Sequence, residues 1–426
     1  MRRRDFLGMP CMSALSFHQQ AAAAPPPPLE GEKSGLKITG VRLVNVKPRQ
    51  APAPYRTTHE PWAGKDIPTS RPLDLYFKGQ PSGIGAMEVF DPSRIIFPAD
   101  GFNVEIATDK GVTGIGRGGA QGASAIQHLA PLIEGQDPFE VEKIWDILWR
   151  GSLHYGRAGM AVFGISAIDL ALWDLIGKAN GVPVYRLLGG KTKQRIPAYA
   201  TLNEVNHHIA LGFQRMKLAV PYGPPAGREG LRKNVELVKH AREALGPDGE
   251  VMLDCWMSLD EEYTVEFARR IEPYRVYWIE EPLPPDEYDG YARLRKAIQS
   301  TRITTGEHEY TRYGFRRLLE KHCAAIWQPD IHWCGGLTEL RRIAAMASAH
   351  DIPVIPHLGG LSSFAMHFIA ATPNSPWAEF MAPPPGGPPE VYRWFEEEHR
   401  LTRGPGGLYT EPSDRPGFGW DVVVAS

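Results

Sequence analysis

The chain holds 426 residues, in which 47 Lys and Arg nearly balance 49 Asp and Glu to leave a formal net charge of −2. That length suits one large domain with a smaller companion and allows a sizeable core. The even charge excludes the basic footprint of a nucleic-acid or anionic-membrane binder and points to a small-molecule partner.

In chain order, the first segment reads MRRRDFLGMPCMSALSFHQQAAAAPPPP. Arg3, Arg4, Phe6 and Leu7 fit the twin-arginine export pattern, and the alanine run after them fits a cleavage region. Residues 1–35 are therefore expected to be an export signal and Pro-rich linker, with the mature chain periplasmic or secreted; a cytoplasmic protein with an untranslocated tail is the alternative. From Leu36, LKITGVRLVNV reads as a strand, and a Pro-, Gly- and charge-rich loop runs to about Pro98. GFNVEIATDKGVTGIG then reads as a hairpin turning at Asp109-Lys110-Gly111. A helical region follows, ended by Gly181 and Pro183. We assign 36–190 to an α+β domain. No stretch approaches 18 consecutive apolar residues, so no membrane-spanning helix is expected.

After Arg195 short apolar strands alternate with amphipathic helices. The strands are IPAYAT, QRMKLAV, EVMLD, RVYWIE, RITTGE, AAIWQPD, IPVIPH and WAEFM. Eight such steps predict a β/α barrel over 191–387. Residues 388–426 lack this rhythm and are expected to return to the first domain. The four cysteines, Cys11, Cys255, Cys323 and Cys334, show neither CxxC spacing nor a paired framework and read as packed thiols.

Polar residues stand at the ends of consecutive strands: Asp254, Glu280, Glu307, Asp330 and His357, at spacings of 26, 27, 23 and 27 residues. Each interval is one βα unit, which in a parallel barrel places all five side by side at the C-terminal mouth. Any one of them alone reads as a cap for the next helix; five in succession do not. Three converging carboxylates repel one another unless a cation neutralises them. Oxygen-only donors favour Mg²⁺, with Mn²⁺ possible, over Zn²⁺. On the neighbouring strands, Asp330 can hold one ring nitrogen of His357 while the other faces the cavity, making a general acid/base.

The motifs SAIDLALWDLIGKANGVPVYRLLGG, LD at 253–254, WIEEP, GEHEY, QPDIHWCGG and PH at 356–357 resemble the enolase superfamily, in its mandelate racemase group. Within it, LDCWMS, GEH and PDxxWCGGLT are most similar to the rhamnonate branch of the sugar-acid dehydratases. The resemblance implies an α+β capping domain over a modified barrel of seven full βα units plus a closing strand. It implies metal ligation by Asp254, Glu280 and Glu307, a His357–Asp330 dyad, and an eighth-strand carboxylate at Glu379 that hydrogen-bonds the reaction intermediate. It also implies a homo-oligomer. Glu281 is expected to point away from the mouth and serve structure.

One departure bears on the reaction. Racemases of this group carry Lys-x-Lys on the second strand, the second lysine acting as a base; here the run is Lys217-Leu218-Ala219, and Ala219 cannot act so. A single histidine can serve elimination of a 3-hydroxyl, so the expected activity is a Mg²⁺-dependent dehydration of a sugar acid, L-rhamnonate or a similar aldonate. Lys217 is expected either to reach the substrate carboxylate or to snorkel to solvent. A racemase, epimerase or cycloisomerase, and a non-catalytic exported sugar-acid binder, are the alternatives. Candidate substrate contacts are His59, Trp62 and Arg71 in the long loop, with Trp256, His308 and Trp333 at the mouth; Tyr155 and His367 are weaker candidates.

Overall fold

A computed structural model describes residues 35–48, 51–56, 89–90, 101–420 and 422–424. The export pattern and the loop candidates His59, Trp62 and Arg71 lie outside the described residues.

Three antiparallel strands open the fold, β1 (Ile38–Val44), β2 (Gly101–Thr108) and β3 (Thr113–Gly119), in the order β1-β2-β3. The last two form the expected hairpin, turning at Asp109–Gly111, where Gly111 has φ +78°. The helix Met160–Ala179 packs on β3. It is long and apolar enough to cross a membrane, yet 89% of its most apolar window is buried inside the protein. A helix apolar on all sides belongs in a core, and this one does.

The barrel strands are β4 (Ile196–Thr201), β5 (Arg215–Ala219), β6 (Glu250–Asp254), β7 (Trp278–Glu280), β8 (Arg302–Thr305), β9 (Ile326–Trp327) and β10 (Ala378–Phe380). All pair in parallel, running β10-β4-β5-β6-β7-β8-β9. They read as continuous apolar runs because helices cover one face and the barrel interior the other: Val251, Met252 and Leu253 are all fully buried. The expected seventh strand, IPVIPH, contracts to one bridge between Val354 and Trp327. Pro353 and Pro356 remove the N–H donors that a ladder needs. The closing strand β10 is tied to this segment by Gly360 N–H to the Glu379 carbonyl, at 2.8 Å.

After β10 come a helix, Pro389–Glu398, and a hairpin whose second strand, Gly407–Thr410, pairs antiparallel with β4. The chain then crosses back. Phe418 N–H bonds Asp174 Oδ1 at 3.1 Å, and Val422–Val424 pairs with Val46–Pro48. Cys255, Cys323 and Cys334 are buried free thiols.

Candidate active site

Side chains alternate along a strand, so residues two apart share a face. Inside the barrel this builds two layers. The lower one is apolar: Tyr199, Met252, Trp278, Ile326 and Ile355 form a separate cluster. Two positions further along each chain stand Thr201, Asp254, Glu280, Gln328 and His357. Register sets Ala219 beside Asp254 and Asp254 beside Glu280. Glu307 departs from strict alternation, because Thr304 already faces inward; Gly306, at φ +131°, turns the chain. Trp256, Met257, Glu281 and Leu358 also adopt positive φ, from +42° to +65°. Each costs on the order of 1–3 kcal/mol and is held only where surroundings fix it, as at functional sites.

Asp254, Glu280 and Glu307 each offer an oxygen, and these atoms lie within 4.8 Å of one another. The side chains are buried or nearly so. Lys217 lies against them. Its Nζ is 2.8 Å from Glu280 Oε1, 2.8 Å from Glu379 Oε1 and 3.2 Å from Asp254 Oδ2. Burial works against this ammonium, but the facing carboxylates outweigh burial and hold its pKa well above the lysine range. Burial pushes Glu280 well up and Glu307 up to about 7, whereas Lys217 overcomes burial at Glu379 and draws it to about 2. Four carboxylates against one lysine leave excess negative charge in a dry site, and the all-oxygen donor set fits a hard divalent cation. A second group, Glu281, Glu307 and His308, also converges within that distance.

The dyad forms beside this set. His357 Nδ1 lies 2.9 Å from Asp330 Oδ2, while Asp330 Oδ1 accepts the His332 N–H at 2.6 Å. His357 Nε2 faces Glu307 Oε2 at 3.7 Å. Burial disfavours the imidazolium, but Glu307 and Asp330 outweigh it and raise its pKa to about 10. A cavity of about 250 Å³ opens over these groups, walled by Trp256, His308, Trp333, Phe364, Met381 and Trp420. The Trp333 ring stands 5.6 Å from His308 and 5.3 Å from His357.

The structure thus brings Asp254, Glu280, Glu307, Asp330 and His357 together, with Trp256, His308 and Trp333 on the cavity wall. It changes three expectations. Lys217 neither snorkels nor lines the cavity: it lies beneath the carboxylates, 1% exposed. Glu379 has both oxygens engaged, by Thr201 Oγ1 and Lys217 on one side and by Leu358 N–H on the other, so it anchors the residue after His357. Glu281 does not point away; its positive φ swings it to His308 Nδ1, at 2.8 Å. Tyr155 is 49% exposed and lies off the cavity, and His367 is buried, accepting the Tyr185 N–H.

Some supporting residues escaped the sequence reading. Gln328 Nε2 and Trp278 Nε1 both donate to Glu280 Oε2, at 2.6 and 3.1 Å. Alternation back from the strand ends would have found them.

Comparisons with known proteins agree with this fold. Residues 101–189 match the mandelate racemase / muconate lactonizing enzyme N-terminal domain, and 200–425 match the enolase C-terminal domain-like family. The chain is 46% identical to an L-rhamnonate dehydratase of Saccharopolyspora erythraea over 282 residues, 65% of this chain and 72% of that protein. A crystal structure of rhamnonate dehydratase from Gibberella zeae complexed with Mg is 34% identical, with a TM-score of 0.73, covering 91% of this chain and 94% of that one. The 3,6-anhydro-D-galactonate cycloisomerase of Zobellia galactanivorans is 28% identical, with a TM-score of 0.67, covering 91% and 97%. Matched family domains, strand-end carboxylates and a modified barrel under an α+β cap lead to one conclusion: the chain belongs to the enolase superfamily, in its mandelate racemase/muconate lactonizing enzyme group.

Proposed function

We propose that this protein is a Mg²⁺-dependent sugar-acid dehydratase that removes the C2 proton and eliminates the 3-hydroxyl, giving a 2-keto-3-deoxy acid. The observation that carries the reading is the His357–Asp330 pair opening on the cavity beside Glu307, with Ala219 buried on the second strand, where a base for the opposite face would stand. Asp254, Glu280 and Glu307 would hold a divalent cation, which when bound would supply positive charge for the substrate carboxylate and offset the Glu307 charge beside His357.

Asp330 accepts from Nδ1–H, so Nε2 of the neutral ring is the atom that takes the C2 proton. The same nitrogen, now protonated, delivers it to the departing 3-hydroxyl on the same face. Water is lost and the resulting enol becomes the keto acid. Lys217 holds Glu280 and Glu379 in place and keeps Glu379 charged, and Glu379 fixes Leu358, next to the base. The relatives named above make L-rhamnonate or a similar aldonate the favoured substrate.

One observation favours a second reading. His308, held by Glu281, lines the same cavity and is a second ionisable group, as racemisation or epimerisation requires. Incubation with a sugar-acid panel and Mg²⁺ in D₂O separates the two: keto-acid formation supports dehydration, whereas C2 exchange with a new epimer and no keto acid would replace it. We further propose that the segment carrying Arg3 and Arg4 exports the protein; recovery from the host cytoplasm with residues 1–24 intact would refute this.

A further inference from the structure

Strand β3 presents two different faces. On one, Gly114, Gly116 and Gly118 lie against the 160–179 helix, where a Cβ would meet the backbone oxygens of Ala171, Ala167 and Phe163 at 2.1, 2.0 and 2.5 Å. On the other stand Ile115, Arg117 and Gly119. Arg117 is 6% exposed and lines the cavity that holds Glu307, His308, Asp330 and His357. Gly101, opposite Gly119 in the hairpin, makes room for it: a Cβ there would lie 2.1 Å from Arg117 Nη2.

The backbone of Arg117 is fixed as well. Its carbonyl lies 3.1 Å from His332 Nδ1, and His332 Nε2 lies 2.9 Å from Ser362 Oγ. A carbonyl only accepts, so Nδ1 carries the proton and Nε2 accepts the serine hydroxyl. Since the His332 N–H also bonds Asp330, Arg117 is tied to the loops that carry both members of the dyad. These loops follow β9 and the Val354 segment, further round the barrel than the carboxylates on β6 to β8. The cavity runs from Glu307 and His357 to Arg117, Ser362, Phe364 and Trp420, so an acid sugar with its carboxylate at the Glu307 end and C2 under His357 would extend its distal carbons toward Arg117.

We propose that Arg117 is a specificity-determining residue whose guanidinium donates to hydroxyls on the distal carbons of the substrate, so that the site selects a six-carbon acid over a shorter one. This rests on the acid-sugar reading above. A guanidinium offers several donors in a rigid fork and accepts nothing, which suits a run of hydroxyl oxygens. Aromatic walls exclude water and strengthen such bonds.

The test uses the full chain with Mg²⁺ and two acids sharing their C2 and C3 configuration, L-rhamnonate and D-erythronate. Calorimetric Kd values are measured beside kcat and KM for wild type, Arg117→Met and Arg117→Lys. Arg117→Met should weaken L-rhamnonate binding and raise its KM by roughly tenfold or more, the loss expected for charge-assisted hydrogen bonds. That loss should exceed the loss for D-erythronate by about as much, with kcat falling less than KM rises and Arg117→Lys recovering part of it. Equal losses for both acids, or a loss in kcat alone, would overturn the assignment. Should Arg117→Met fail to fold, Arg117→Lys carries the comparison, and the same two outcomes decide it. A wild type that binds L-rhamnonate but forms no keto acid defeats the dehydratase reading and leaves the Arg117 binding comparison to stand or fall on its own. Binding of neither acid overturns both.

Discussion

Replacing Lys217 with Met removes one charge and keeps most of the stem. The ammonium lies within 3.2 Å of Asp254, Glu280 and Glu379, all buried. Removing one partner of a buried ion pair typically costs about 3–5 kcal/mol, because the other charge is left uncompensated. Three carboxylates lose a partner here, although proton uptake relieves part of the penalty, so we expect about 4 kcal/mol at pH 8 in a chelator. An unfolding entropy of about 2.1 cal/mol/K per residue sums to roughly 0.9 kcal/mol/K for a chain of this size, giving a Tm decrease of about 4–5 °C. The deficit has a definite pH sign. Lys217 draws Glu379 down to about 2 against burial, so loss of the lysine lets burial raise that carboxyl, and it raises Glu280 further. The folded variant therefore binds more protons than the unfolded chain and loses stability as pH rises, at about 1.4 kcal/mol per unit per proton. Thermal melts in EDTA from pH 5.5 to 8 should show a gap that widens upward in pH and narrows when Mg²⁺ is added. A gap under about 1 kcal/mol at pH 8, or one that widens on acidification, would refute this role for Lys217.

Asp330→Asn removes the carboxylate that orients His357 Nδ1. Turnover should fall by about 10² or more while calorimetric Mg²⁺ affinity stays near wild type, because Asp330 is outside the ligand set. Saturation with Mg²⁺ at ~100 times its Kd should raise wild-type stability by about 2.7 kcal/mol, and Glu280→Gln should abolish most of that gain in melts. His367 is buried neutral, with burial holding its pKa down at about 3. Its contribution is complete above pH 6.5 and is lost as pH falls toward 3. His367→Gln, whose amide oxygen can accept the Tyr185 N–H, should flatten urea-measured stability over pH 4–6 by about 1.4 kcal/mol per unit.

Much of the site was legible because one physical rule placed it. Strand ends recurring once per βα unit must cluster at one rim, so Asp254, Glu280, Glu307, Asp330 and His357 could be read without coordinates. Orientation beyond the last strand residue could not. Glu281 reaches His308 only because its φ is +42°, and period-two reasoning fails where the backbone leaves the extended region. The fate of Lys217 was hidden for another reason. A lysine on an inward face reads as costly, and only the convergence of three carboxylates from β6, β7 and β10 reverses that cost. The weak seventh strand was legible in principle, since Pro353 and Pro356 are visible in the sequence. Arg117 escaped notice because its significance depends on a hairpin register that brings Gly101 opposite Gly119.

The central claim is that His357 carries the proton transfers. The direct measurement is keto-acid formation by His357→Asn with Mg²⁺ bound, alongside a calorimetric check that the metal still binds. The account predicts a fall in kcat of about 10²–10⁴, the usual contribution of a positioned acid/base group, with metal affinity retained. Dehydration within about tenfold of wild type by a metal-loaded His357→Asn protein would contradict it.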